Sequence, residues 1–182
     1  MKGINVLFDE KTTLRFLRIW KILKNYGSKL TPRISTPHIT LAIFDEIQMG
    51  TLERRVSSLT NELKPFRIRF VGVGCFPATT DVLYVSPVPT KKLLDVYLRI
   101  FHLFKDYHSL NNSPAPNLHK YFFPESWFPH VTIATRLDDS CFNRAFQHAR
   151  ESFSVFEGQI THLSVLDFDR GRAAECHEKF SL

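Results

Sequence analysis

Cysteine is scarce in this chain and what there is lies scattered. Cys75, Cys141 and Cys176 are odd in number and form no C-x-x-C pair. That excludes a disulfide framework and reads as reduced thiols in a cytoplasmic protein. No apolar run approaches the roughly 20 residues of a membrane span, so no membrane partner is expected. Asp9 and Glu10 interrupt the opening "MKGINVLFDEKTTL" too early for the apolar region of a signal peptide. Metal-ligand spacing is missing as well. Outside one recurring frame, His102, His108, His119, His148, His162 and His177 show no H-x₃-H pair, and Cys176 and His177, adjacent on a strand, point to opposite faces. Chemistry without a metal or cofactor is therefore expected. Carboxylates are outnumbered, 18 against 24 cations, for a formal charge of +6. This favours anionic partners such as nucleotides or RNA ends, although a solvated surface also accounts for such an excess.

Phenylalanine is abundant, with seventeen copies in 182 residues, and 43% of the chain is hydrophobic. A packed interior follows, in one domain over 1–182. "GINVLFD" reads as a strand, with Asp9 placed to cap a helix whose apolar stripe is Leu14, Leu17, Ile19, Ile22, Leu23 and Tyr26, stopped by Gly27. "PHITLAIF" alternates as a strand does. Leu52, Val56, Leu59 and Leu63 recur at helical spacing, and "FRIRFVGVG" and "VLYVSPV" flank a turn. The order then repeats. A helix carries Leu93, Tyr97, Ile100, Phe104 and Tyr107, a long loop covers about 109–127, and "PHVTIAT" is a strand. A helix with Phe142, Phe146, Ala149 and Phe153 follows, and a closing hairpin turns at "DRGR". The fold class expected is α+β: a bilobal, duplicated, pseudo-twofold arrangement of halves near 1–80 and 81–182, with two antiparallel-type sheets flanked by helices around a central groove.

The repetition is sharpest in one frame. Pro37-His38-Ile39-Thr40-Leu41-Ala42 returns 92 positions later as Pro129-His130-Val131-Thr132-Ile133-Ala134. Residues i and i+2 of a strand share a face. His38, Thr40 and Ala42 should thus share an open face, with Ile39, Leu41 and Ile43 on the packed one, and likewise for the second copy. Packing explains the aliphatic positions of both copies but not the histidines and threonines. Two opposed faces supply two imidazoles and two hydroxyls around one cavity. With an ordinary pKa near 6.5, one imidazole can take a proton while the other gives one. The hydroxyls can donate to the oxygens of a phosphodiester as negative charge develops there. A bell-shaped pH dependence centred near neutrality is the corresponding expectation.

With these paired motifs the sequence resembles the 2H phosphoesterase superfamily, in its 2′-5′ RNA ligase-like and cyclic phosphodiesterase branch, which carries two His-x-Thr/Ser motifs. They are matched by His38-Ile39-Thr40 and His130-Val131-Thr132. "VGVGCFPATTDVLYVSP" resembles the family's strand-turn-strand after the first motif, and "SWFPHVTIA" its second motif. The resemblance implies a bilobal α+β fold with a groove, and chemistry on 2′,3′-cyclic phosphates, 2′-5′ linkages or related oligonucleotides. It assigns catalytic roles to His38, Thr40, His130 and Thr132. The long loop before the second motif departs from the family's common pattern.

A nucleotide also needs a stacking surface and cationic help. Phe76, Trp127 and Phe128 are candidates for stacking, and Lys120, Tyr121, Phe122 and Phe123 for a wall of the groove; the alternative is that such aromatics anchor a long loop. Arg136, four residues past Thr132, shares its face by parity if the strand runs that far. Arg170 and Arg172 in the hairpin turn could meet phosphate, and Arg67 and Arg69 are either solvated or line the groove. The function expected is a metal-independent phosphodiesterase, monomeric and acting on a nucleotide or RNA end. A phosphodiesterase for a nucleotide messenger and a non-catalytic nucleotide binder are the alternatives.

Overall fold

The computed structural model describes all residues except 34, 46, 77–81, 106–117 and 168–174, together with the side chains of 175–177. The element order is β1 (Lys2–Phe8), α1 (Glu10–Leu23), β2 (His38–Phe44), α2 (Met49–Thr60), β3 (Phe66–Cys75) and β4 (Leu83–Pro87). Then come α3 (Lys91–Leu103), β5 (Val131–Ala134), α4 (Asp139–Ser152), β6 (Phe156–Asp167) and β7 (Glu175–Ser181). Local chemistry sets the helix limits. The Asp9 carboxylate accepts from the Thr12 N–H at 3.3 Å, and the Thr90 hydroxyl from the Leu93 N–H at 3.3 Å, each satisfying an orphan donor. Gly27 ends the first helical segment at φ 93°, a conformation that costs glycine little.

All strands pair antiparallel in one sheet of order β2-β1-β6-β3-β4-β5, with β7 also on β6. The two expected sheets are thus the two ends of one, and β6 joins them. Its first residues, Phe156 to Ile160, pair with β3, and Ile160 to Asp167 pair with β1. Although β2 and β5 end the path, they touch each other, so the sheet curls until its outer strands meet. Helices cover the outside: α2 and α3 lie against β6, β7 and β2, while α1 and α4 lie against β5 and β3. Helices therefore cross between the halves of the chain.

The phenylalanines fill the space under the helices. The Phe16 ring of α1 lies 5.5, 5.0 and 5.6 Å from those of Phe8, Phe70 and Phe156. On the other side Phe44 of β2 meets Phe104 at 5.0 Å. The inward face of α1 is Thr12, Phe16, Trp20 and Leu23. Leu14 and Ile22 of the expected stripe are exposed instead, because a stripe read from apolar residues alone cannot tell a core face from its flank. In α4 the small Ala145 and Ala149 are the buried residues, and Phe142 and Phe146 flank them half-buried. Tyr107 and the "DRGR" turn lie outside the described residues.

Candidate active site

The two frames are structural counterparts residue by residue. In both, the proline is buried, the histidine and threonine are half-buried, and the residues at the aliphatic and alanine positions are buried. Each also carries a bulge at the same position. Leu41 is the extra residue between Thr40, opposite Asn5, and Ala42, opposite Ile4. Ile133 is the extra residue between Thr132, opposite Tyr84, and Ala134, opposite Leu83. A bulge changes the phase of the strand. Ala42 (2% exposed) and Ala134 (0%) therefore join the core, while Ile43 is half-buried. This corrects the expectation that the alanines share the open face. Strict alternation holds only from the histidine to the bulge.

Both imidazoles are held the same way. His38 Nδ1 lies 2.6 Å from the Thr36 carbonyl, and His130 Nδ1 lies 2.9 Å from the Phe128 carbonyl, two residues back in each case. A carbonyl can only accept, so Nδ1 carries the proton and Nε2 is left with a free lone pair. The intervening Pro37 and Pro129 explain the local geometry: proline restricts its own φ and keeps the preceding residue extended, which presents that carbonyl at a set angle. Both imidazoles have pKa values below 6.5. Burial is the main cause for each, and for His38 the charge of His130 adds to it. That coupling means the two rings sense one another's protonation.

The threonine carbonyls lie on the sheet's outer edges, where a strand leaves backbone groups unpaired. Each is satisfied by an indole. Trp127 Nε1 donates to the Thr40 carbonyl at 3.0 Å, and Trp20 Nε1 donates to the Thr132 carbonyl at 3.1 Å. These are the chain's two tryptophans, and each braces the motif strand of the opposite half. The expectation of Trp127 as a stacking residue meets a structure in which it already stacks on Tyr97, at 3.9 Å and 2° between planes. The Tyr97 hydroxyl donates to the Phe122 carbonyl at 2.9 Å. Phe122 and Phe123 pack against the core and anchor their loop, and Tyr121 is exposed. Sequence reading passed over Trp20 because it sits inside a helix, 18 residues before His38.

Aromatic rings gather at His130. Phe76 lies 5.0 Å from the imidazole and edge-on to it, Tyr84 at 5.6 Å and Phe128 at 6.2 Å; Tyr84 also meets Phe76 at 4.7 Å and Phe128 at 5.3 Å. Two of the expected stacking residues, Phe76 and Phe128, are thus brought together with the second histidine. Tyr84 was missed, since nothing in "VLYVSPV" marks it. Its ring lies so close over Gly74 that a Cβ there would come within 2.6 Å of the phenol. The phenol pKa is raised, chiefly by burial.

Arg136 is not brought in as expected. β5 ends at Ala134, and Arg136 is exposed with φ 54°, so parity does not carry it onto the face of Thr132. Arg170 and Arg172 lie outside the described residues. Arg67 and Arg69 are exposed on β3, with Arg67 3.7 Å from the Glu157 carboxylate. Among the described residues no three His, Cys, Asp or Glu side chains cluster to hold a metal ion, and no helix is long and apolar enough to cross a membrane.

A curled antiparallel sheet flanked by helices, with two His-x-Thr strands meeting at its ends, is the fold of a 2H phosphoesterase. The sequence pattern of the 2′-5′ RNA ligase superfamily matches residues 9–172, and the chain belongs to that family. A Bacillus licheniformis protein named "Putative phosphoesterase" is 26% identical over 144 residues, spanning 76% of this chain and 73% of its own. Two solved structures share the fold over 100% of this chain. TT0787 of Thermus thermophilus has a TM-score of 0.69 at 17% identity over 97% of its length, and E. coli LigT has 0.62 at 14% over 96%. LigT has also been solved with 3′-AMP, with ATP and with phosphate.

Proposed function

We propose that this phosphoesterase acts without a metal on RNA-type phosphodiesters, opening 2′,3′-cyclic phosphates or cleaving 2′-5′ linkages. The observation that carries the reading is the matching presentation of two imidazoles, each with Nδ1–H bound to the carbonyl two residues back, which leaves the Nε2 lone pair for chemistry. Because the charge of one disfavours protonation of the other, the pair takes up protons one at a time. The singly protonated pair is the competent form. The neutral Nε2 accepts a proton from water as the water oxygen bonds to phosphorus. The protonated ring gives its proton to the leaving ribose oxygen as the P–O bond breaks. Protons balance, and the pair ends with its roles exchanged. The hydroxyls of Thr40 and Thr132 donate to the non-bridging oxygens, which gain charge in the transition state. Phe76, Tyr84 and Phe128 offer ring faces and edges to a base beside His130. The nucleotide complexes of LigT, which shares the fold, support a nucleotide as the ligand class.

The test is turnover of 2′,3′-cyclic nucleotides, a cyclic-phosphate-ended RNA and 2′-5′ oligoadenylate in EDTA, for wild type, His38→Ala and His130→Ala. Each catalytic imidazole contributes about 10²–10⁴-fold, so product should form with wild type and nearly vanish with either variant. Product that survives both substitutions sinks the mechanism. Nucleotide binding with no product from any substrate would mark a non-catalytic binder instead.

A further inference from the structure

One polar side chain lies in the middle of a buried strand without a partner. Asn5 is flanked on β1 by Ile4 and Val6, all three 0% exposed, and neither its amide nitrogen nor its oxygen has a hydrogen-bond partner among the described residues. Asparagine is disfavoured in strands, and an unpaired buried amide is costly. Register places it next to the first motif. Asn5 stands directly opposite Thr40 of β2 on one side and Ser164 of β6 on the other. Directly opposed residues share a face, with Cβ atoms about 5 Å apart. Thr40, Asn5 and Ser164 therefore form a polar row across three strands on the face away from α2 and α3, and Ser164 is itself 0% exposed, its hydroxyl without a partner among the described residues. In the next row on the same face stand His38, Leu7 and His162. The second motif has no such row: opposite Thr132 is Tyr84, and opposite Tyr84 is Gly74.

We propose that Asn5 is a positioning residue acting through Thr40, in the reaction assigned above on which this inference rests. When Thr40 engages a phosphate, the Ser164 hydroxyl, unpartnered among the described residues, turns to donate to the Asn5 carboxamide oxygen and fixes which way the amide points. In that ligand-bound state the Asn5 nitrogen donates to Thr40 Oγ, leaving the Thr40 proton one direction to take, toward the phosphoryl oxygen. Each donor in such a chain strengthens the next. The unpaired amide is a standing cost in stability, offset only when Thr40 engages its ligand. The two threonines are therefore unequal: Thr40 is oriented from behind, and Thr132 is not.

The test is a pair of double-mutant cycles, with turnover and binding of inorganic phosphate both measured. Asn5→Leu removes the amide while keeping the number and branching of side-chain heavy atoms in the strand. Its kcat should fall about tenfold with KM nearly unchanged, its phosphate affinity should weaken, and its melting temperature should hold or rise, because a buried unpaired group has gone. Combined with Thr40→Ala, Asn5→Leu should add little further loss. Combined with Thr132→Ala, its effect should multiply. Asn5→Ser, which keeps a donor, should recover part of kcat. Wild-type kcat and phosphate affinity in Asn5→Leu would overturn the proposal, as would equal multiplication with both threonine variants. If no phosphodiester is turned over, the phosphate titrations still read the coupling to Thr40, so the positioning role and the catalytic reading fail separately.

Discussion

Replacing Trp127 with phenylalanine separates two roles for this side chain. Phenylalanine keeps a ring against Tyr97, whose ring centroid lies 3.9 Å from that of the indole, but removes the N–H that the Thr40 carbonyl accepts at 3.0 Å. The carbonyl belongs to β2, the strand that ends the sheet order. Losing the donor while leaving the half-buried acceptor unpaired costs about 1–2 kcal/mol. For a chain of this length each kcal/mol lowers Tm by about 2–4 °C. The same carbonyl belongs to the residue whose hydroxyl is assigned to the phosphate, so a looser strand lowers kcat several-fold and leaves KM nearly unchanged. Thermal melting and steady-state kinetics on one preparation read both. Trp20→Phe is the matched control: it removes the 3.1 Å bond to the Thr132 carbonyl and should act in the same direction. If Trp127 served mainly as a platform for the base, Trp127→Phe would raise KM with Tm unchanged, and that result would refute the bracing role.

Two further outcomes are expected. Burial lowers both imidazole pKa values below 6.5, so less of the pair is protonated at pH 7 than ordinary values give. The kcat/KM optimum, midway between the two apparent pKa values, should fall on the acid side of 6.5 rather than near neutrality; a rate that keeps climbing into alkaline pH contradicts this. Gly74→Ala sets a Cβ 2.6 Å from the Tyr84 ring and should push that ring out of its contacts with Phe76, Phe128 and His130. Crowding of this kind costs about 1–3 kcal/mol. Nucleotide KM should rise along with a lower Tm, and a wild-type KM would remove Tyr84 from the binding surface.

What could be read directly from the chain was local. Period-2 and period-3.6 patterns located the strands and helices, because alternation and helical spacing are properties of neighbouring residues. Asp9 and Gly27 marked the ends of the first helical segment for the same reason. The twin Pro-His-x-Thr frames exposed the candidate site because chemistry-bearing residues at matched positions are visible without coordinates. The Nδ1 bonds came only from the structure, although each acceptor lies just two residues away. Other features needed the tertiary structure because they depend on residues far apart in sequence. The bulges at Leu41 and Ile133, which turn Ala42 and Ala134 into core, follow from register against β1 and β4. That one strand, β6, joins both ends of the sheet is a matter of pairing, which strand-forming residues do not specify. The indole bonds span 87 and 112 residues, and Asn5 gains meaning only from Thr40 and Ser164 on either side. A side chain's type fixes what bonds it can make, but the partner it meets is set by how the sheet curls.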